Sequence, residues 1–405
     1  IESLFKVNGG SNLLGFVSEK NSFFRILFAF FLLLSISPVF AKKLSMEEAK
    51  SAGDSIVPAE ILPFWKSLTL KEKAAQTLMV YMPSANYIQK HRFGGVLIMK
   101  PHLKDTLHLM QTLQSANDSL KLPLLVAIDQ EGGRVNRLQA ISKEWQHLPS
   151  AKEMREMEAD SVYELAKQIG TVLHRYGINL NLAPVLDPPM DSKNKPSFME
   201  LSHRSFGDFE RATPKIKAFV QGMKESNVLS SSKHFPGYDS WTNSDHQIAF
   251  STSPKEVVQK NAEFFKSFSE EIPVIMLSSV RFVRFSNTPA VFNPRITKMA
   301  RENSPYTVLL TDDLWGVSLR AWIAGKDKVK GKKYPTKDFR KLIRTVLWAG
   351  NDMFMITYPA KAVEMISYLE QLGSKSPEYR LRIEQAAARI VRLKYLSGIW
   401  KENSL

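Results

Sequence analysis

The apolar run Leu124-Leu125-Val126-Ala127-Ile128 empties directly into Asp129-Gln130-Glu131-Gly132-Gly133-Arg134-Val135-Asn136-Arg137. That layout sets carboxylates, arginines and paired glycines at the carboxyl end of a strand. In parallel α/β folds ligands bind beyond those ends, and glycine lets a backbone pass close to a bound molecule with no Cβ in the way. The segment therefore reads as a binding loop. Other apolar runs also close on polar groups: Asp187 after Ala183-Pro184, then Lys233-His234, then Asp312. Carboxylates fixed at strand ends suit nucleophilic and proton-transfer steps, and ionised side chains beside them hold substrate hydroxyls through strong, directional hydrogen bonds.

Eight short apolar runs, often β-branched, alternate with longer stretches of helical spacing: Gln76-Met82, Gly95-Met99, Leu124-Asp129, Ile178-Ala183, Leu229-His234, Val274-Ser278, Val308-Asp312 and Asp352-Ile356. Segments such as 160–176 and 210–226 carry the helical pattern between them. Strand followed by helix, eight times over, predicts a (β/α)8 barrel, TIM-like, from residue 58 to 400, with 42–57 as an N-terminal linker and 401–405 as a tail. The same alternation permits an open doubly wound sheet. The barrel is favoured because polar residues end run after run, as when strands share one catalytic face, and because no Gly-rich dinucleotide fingerprint follows the first strand.

The 405 residues are 44% hydrophobic and 23% charged, the makeup of a globular chain with length for one large domain. Lys20 and Arg25 precede an apolar run from Ile26 to Ile36, and Val39-Phe40-Ala41 follows before Lys42-Lys43. Residues 1–41 thus have the anatomy of a signal peptide or upstream extension and predict export, periplasmic or secreted. An uncleaved N-terminal anchor is the alternative, although the run falls short of the ~20 residues that span a bilayer. With no cysteine, disulfides and thiolate metal sites are excluded, and the eight histidines form no HExxH motif or close pair, so neither metal nor cofactor is expected. The net charge of +15 favours encounter with anionic surfaces. Its densest stretch, Gly325 to Lys333, has no aromatic residues between its lysines, which fits a solvated loop better than a nucleic-acid site. The expected partner is a substrate molecule met by a monomer with no stable membrane insertion.

Several segments in order resemble glycoside hydrolase family 3, and within it the single-domain β-N-acetylglucosaminidases. They are the 124–137 loop, Gly94-Gly95-Val96-Leu97-Ile98, Asn181-Leu182-Ala183-Pro184-Val185-Leu186-Asp187, Ser202-His203-Arg204-Ser205-Phe206-Gly207, Lys233-His234-Phe235-Pro236-Gly237, Leu310-Thr311-Asp312-Asp313-Leu314 and Ala349-Gly350-Asn351-Asp352-Met353. The resemblance implies that Asp312 is the nucleophile of a retaining glycosidase, and that Asp129, Arg137, Arg204, Lys233 and His234 hold substrate. Asp313 better suits a helix cap. Arg134 is the less certain arginine, being a candidate structural partner for Glu131.

The proton donor departs from the family pattern. There, an Asp-x-His dyad follows Lys-His-Phe-Pro-Gly; here the histidine falls on His246, Ser244 stands at the aspartate position, Asp245 adjoins the histidine and Tyr238-Asp239 replaces His-Gly. Either a rebuilt loop lets Asp245 or Asp239 support His246, or the enzyme is slow and dependent on good leaving groups, or the chain is a catalytically impaired sugar-binding or envelope protein. The implied function is release of terminal β-linked N-acetylglucosamine, or a related amino sugar, from cell-envelope glycans such as peptidoglycan through a glycosyl-aspartate intermediate. A β-glucosidase-type activity is the enzyme alternative.

Overall fold

The computed structural model describes residues 44–327, 329 and 334–400. The signal-like segment 1–41, the tail 401–405 and most lysines of the basic stretch lie outside the described residues. Eight parallel strands run side by side: β1 (Leu78–Tyr81), β2 (Gly95–Ile98), β3 (Leu125–Ile128), β4 (Leu180–Asn181), β5 (Leu229–Phe235), β6 (Val274–Leu277), β7 (Val308–Thr311) and β8 (Phe354–Ile356). Each lies within or against one of the eight expected runs. β1 pairs with β2 on one side and β8 on the other, and the ring closes between β7 and β8, where Met353 donates to the Leu309 carbonyl (3.0 Å) and Thr311 donates to the Met353 carbonyl (2.9 Å). The sheet is a closed barrel, not an open one. β4 ends early because Pro184 has no N–H to give, yet the carbonyls of Ala183 and Pro184 still accept from Ser231 and Lys233.

Side chains along a strand alternate between faces, and the barrel sorts them into two cores. Met79, Leu97, Leu125, Ala127, Leu180, Met276, Leu310 and Met355 fill the interior. Val80, Val96, Val126, Ile128, Ile275, Leu309 and Ile356 face outward into the helices. Continued by two residues, the inward set reaches Asp129 from Ala127 and Asp312 from Leu310. Lys233 follows Leu229 and Ser231 with the same parity. Chain alternation alone therefore delivers these three ionisable groups to the mouth.

Helices Ala159–Arg175 and Phe209–Glu225 pack closely together, since a Cβ on Gly222 would come within 2.6 Å of the Tyr163 carbonyl oxygen. The last helix, Pro377–Leu396, sends Ile390 and Leu393 into the interior cluster. The stretch 42–57, expected as a linker, is helical from Met46 to Gly53 and packs on that last helix. Ile56, Val57, Trp65, Ala387, Val391 and Trp400 form a third apolar cluster there. Burying Ala49, Ile56 and Val57 removes apolar surface from water, which a linker would leave exposed. Among the described residues no helix is long and apolar enough to cross a membrane.

Asp352, buried just before β8, accepts from the guanidinium groups of Arg301 and Arg389 (3.0 Å for the latter) and from the Leu309 N–H (2.9 Å). It ties the closing seam to two helices. Asp352→Ala leaves two largely buried cations unpaired and should cost about 3–5 kcal/mol of stability, read as a lower denaturation midpoint with an unchanged slope.

Candidate active site

The loop after β3 is built around Gln130. Its backbone N–H and carbonyl pair with the Asn181 side chain (3.0 and 2.9 Å), and its Oε1 accepts the N–H groups of Arg137 (2.7 Å) and Leu138 (3.0 Å). The chain thus doubles back and sets the Arg137 guanidinium 3.3 Å from Asp129. Gly132 makes the return possible at φ 95°, where a Cβ would meet the Pro149 carbonyl oxygen at 2.1 Å.

Beneath the loop lies a buried ion cluster. Glu131 receives both arms of Arg204 (2.7 and 2.8 Å) and the Lys233 ammonium (2.5 Å), and Lys233 also contacts Asp129. Burial opposes ionisation of Glu131, but the charges of Arg204 and Lys233 outweigh it and hold the carboxyl well below the usual range. Next along β5, His234 gives its backbone N–H to Asp187 (2.9 Å) and sets its ring Nδ1 2.7 Å from the same carboxylate. This fixes the ring's orientation.

Asp312 extends β7. One carboxylate oxygen accepts the Ser279 hydroxyl (2.6 Å) and the other the Asp313 N–H (2.7 Å). Asp313, of opposite parity, turns away and accepts from Trp315 N–H (3.0 Å) and from the N–H and hydroxyl of Thr357 (3.1 and 2.8 Å). It joins the ends of β7 and β8 rather than capping the next helix, whose N-cap position is Gly316. Burial raises its pKa to about 6.

The segment after β5 folds over the mouth. Tyr238, buried, donates its backbone N–H to Asp187 (2.6 Å) and its hydroxyl to the Thr242 carbonyl (2.5 Å), and the hydroxyl oxygen accepts the Ser244 N–H (2.8 Å). Asp239 leaves the site altogether to accept from Ser251 and Ser253. It supports no histidine.

A cavity of about 200 Å³ results, lined among others by Asp129, Arg137, Arg204, Lys233, His234, Asp245 and Asp312. It is smaller than the ~300–1,000 Å³ typical of small-molecule sites. The structure brings together every expected site residue except His246, which does not line the cavity. Among the described residues no ion pair links Asp245 to His246, so the expected support of one by the other is not formed. Arg134 is exposed, and Glu131 pairs with Arg204 and Lys233 instead. Gln130, Asn181, Ser279 and Tyr238 are not among the expected site residues; Gln130 and Asn181 lie inside the quoted motifs and Tyr238 directly after one, whereas no local signal marks Ser279. A larger groove of about 690 Å³ sits at the opposite end, beside the first residues of β5 and β6. Barrel enzymes do their chemistry at the carboxyl ends, where the charged cluster is. Among the described residues no group of three or more metal-ligating side chains is assembled.

Fold and site set the chain among (β/α)8 enzymes that act at the carboxyl ends of their strands. The family model of the glycosyl hydrolase family 3 N terminal domain matches residues 69–393, and the chain belongs to that family. It is a glycosyl hydrolase, hexosaminidase-like in sequence. It is 27% identical over 299 residues to a beta-hexosaminidase of Pseudomonas aeruginosa, covering 71% of this chain and 82% of that one. With a beta-hexosaminidase of Photobacterium profundum it shares 29% identity over 210 residues, 50% of this chain and 60% of that one, so the match spans less than two thirds of that relative. The beta-N-acetylhexosaminidase of Beutenbergia cavernae superposes with a TM-score of 0.68 at 23% identity, over 81% of this chain and 99% of that one. LpqI of Mycobacterium tuberculosis does so at 0.65 and 23%, over 80% and 93%.

Lys233→Met should leave Asp129 and Glu131 without their shared cation and cost about 3–5 kcal/mol, measured by denaturant titration. Asp313 carries its proton more tightly when folded, so its stabilising effect is full below about pH 4 and lost as pH rises through about 6. Parallel unfolding of Asp313→Asn, which keeps the bonds to Trp315 and Thr357, should show the variant gaining on the parent across that window.

Proposed function

We propose that this chain is a retaining β-N-acetylhexosaminidase that releases terminal β-linked N-acetylglucosamine, or a related amino sugar, from cell-envelope glycans outside the cytoplasm. The observation that carries the reading is Asp312, held by Ser279 and its own neighbour's N–H at a strand end and facing a small cavity ringed by charge. A carboxylate so oriented attacks the anomeric carbon while the glycosidic bond breaks, and the sugar is carried as an ester on Asp312 until water releases it. Asp129, Arg137, Lys233 and His234 line the cavity with fixed polar groups that take the ring hydroxyls. Their mutual ion pairs orient them before substrate arrives, so little reorganisation opposes the transition state. The names of the relatives support the N-acetyl amino sugar. The envelope as source rests on the signal-like segment and on the positive charge, which suits an acidic glycan.

The test is hydrolysis of 4-nitrophenyl N-acetyl-β-D-glucosaminide by the full chain beside Asp312→Ala. The variant should lose about 1,000-fold or more in kcat, roughly 4 kcal/mol of transition-state stabilisation, and rapid quenching of the parent should yield a peptide with the sugar on Asp312. Activity untouched by Asp312→Ala sinks the assignment. Turnover of the matching glucoside in preference moves it to a β-glucosidase.

A further inference from the structure

We propose that the carboxyl of Asp245, and not the imidazole of His246, gives the proton to the departing glycosidic oxygen and takes one from the incoming water. The inference rests on the glycosidase reading above and names the missing acid of that site.

Residues 243–246 form a tight turn in which the Asn243 carbonyl accepts the His246 N–H (3.3 Å) and the Asn243 side chain accepts the Asp245 N–H (2.9 Å). The turn sends the two neighbours to different places: both are open to solvent, but Asp245 lines the cavity with Asp312, while His246 does not. The turn is held from below. Asp187, which orients His234, also binds the Tyr238 N–H, and the Tyr238 hydroxyl grips both Thr242 and Ser244, the residue before Asp245. One continuous set of hydrogen bonds thus links the substrate-facing His234 to the placement of Asp245.

The charged groups that face Asp245 are Asp312 from the end of β7, Arg204 from the loop after β4, His234 of β5 and His246 of its own turn. Burial and the negative charge of Asp312 raise its pKa, against the pull of Arg204 and the histidines. Two carboxyl groups facing one cavity, one of them with its proton affinity raised by the other, suit the division of labour that a retaining glycosidase requires. In the first step a bond forms between an Asp312 oxygen and the anomeric carbon, the glycosidic bond breaks, and the Asp245 proton passes to the leaving oxygen, which departs as an alcohol. Asp312 is now a neutral ester. The neighbouring negative charge that raised the proton affinity of Asp245 is gone, so the carboxylate left by the transfer can act as base. In the second step it takes a proton from water as the water oxygen attacks the anomeric carbon, and the ester bond breaks to restore the Asp312 carboxylate.

The experiment compares the full-length parent, Asp245→Asn and His246→Ala on the 2,4-dinitrophenyl, 4-nitrophenyl and phenyl N-acetyl-β-D-glucosaminides, with pre-steady-state release of the phenol and added azide. Asp245→Asn should lose about 10²- to 10⁴-fold on the phenyl glycoside, whose leaving group needs a proton. It should keep a near-parental first turnover of the dinitrophenyl compound, and azide should restore steady turnover and yield the β-glycosyl azide. A merely structural role for Asp245 would slow all three substrates alike. His246→Ala should stay within a few-fold of the parent on each. Leaving-group dependence and azide rescue in His246→Ala, alone or in both variants, overturn the proposal while leaving the hydrolase reading intact. Absence of turnover by the parent on all three substrates removes that reading, and the proposal with it.

Discussion

Glu131 lies buried with its carboxylate divided between the forked guanidinium of Arg204 and the ammonium of Lys233, which in turn reaches Asp129. An isolated charge at such a place would cost several kcal/mol, and only mutual pairing makes the burial tolerable. The rest of the site depends on that constraint. It fastens the loop after β3, the loop after β4 and strand β5 to one another, so residues far apart in the chain are held in one geometry. A cluster of hydrophobic residues would have served stability as well or better. It would not have left Asp129, Arg137 and Lys233 poised at the floor of a cavity.

A second polar centre, Asp187, continues the same logic toward solvent. Its two oxygens hold the backbone and ring of His234 and the backbone of Tyr238, and Tyr238 carries the order onward into the loop that covers the mouth. These bonds give the loop a defined course over the mouth. Tyr238 is the aromatic anchor of this loop, and the turn it supports brings Asp245 to the lining of the cavity.

The fold was largely legible in the chain. Eight apolar runs of strand length, alternating with helical spacing, are a direct consequence of a sheet buried on both faces, and period-two alternation carries Asp129 and Asp312 inward from Ala127 and Leu310. Lys233 follows by the same rule. His234 does not, because β5 shifts register between Ser232 and Phe235, and irregular backbone is invisible to periodicity. The first turns of the described chain were equally hidden: residues 46–57 are short and weakly periodic, and only contact with the final helix gives them a place.

By itself the sequence determined the class of fold and the strand ends that meet in the site, because these follow from local alternation and from motifs that are contiguous in the chain. Tertiary structure alone decided which charges satisfy one another and which remain for substrate. Arg204 rather than Arg134 neutralises Glu131, Ser279 orients Asp312, Asp313 ties two strands together, and Asp245 rather than His246 enters the cavity. Each of these choices depends on distances between segments tens to hundreds of residues apart or on the direction of a turn, and neither quantity is encoded in residue spacing.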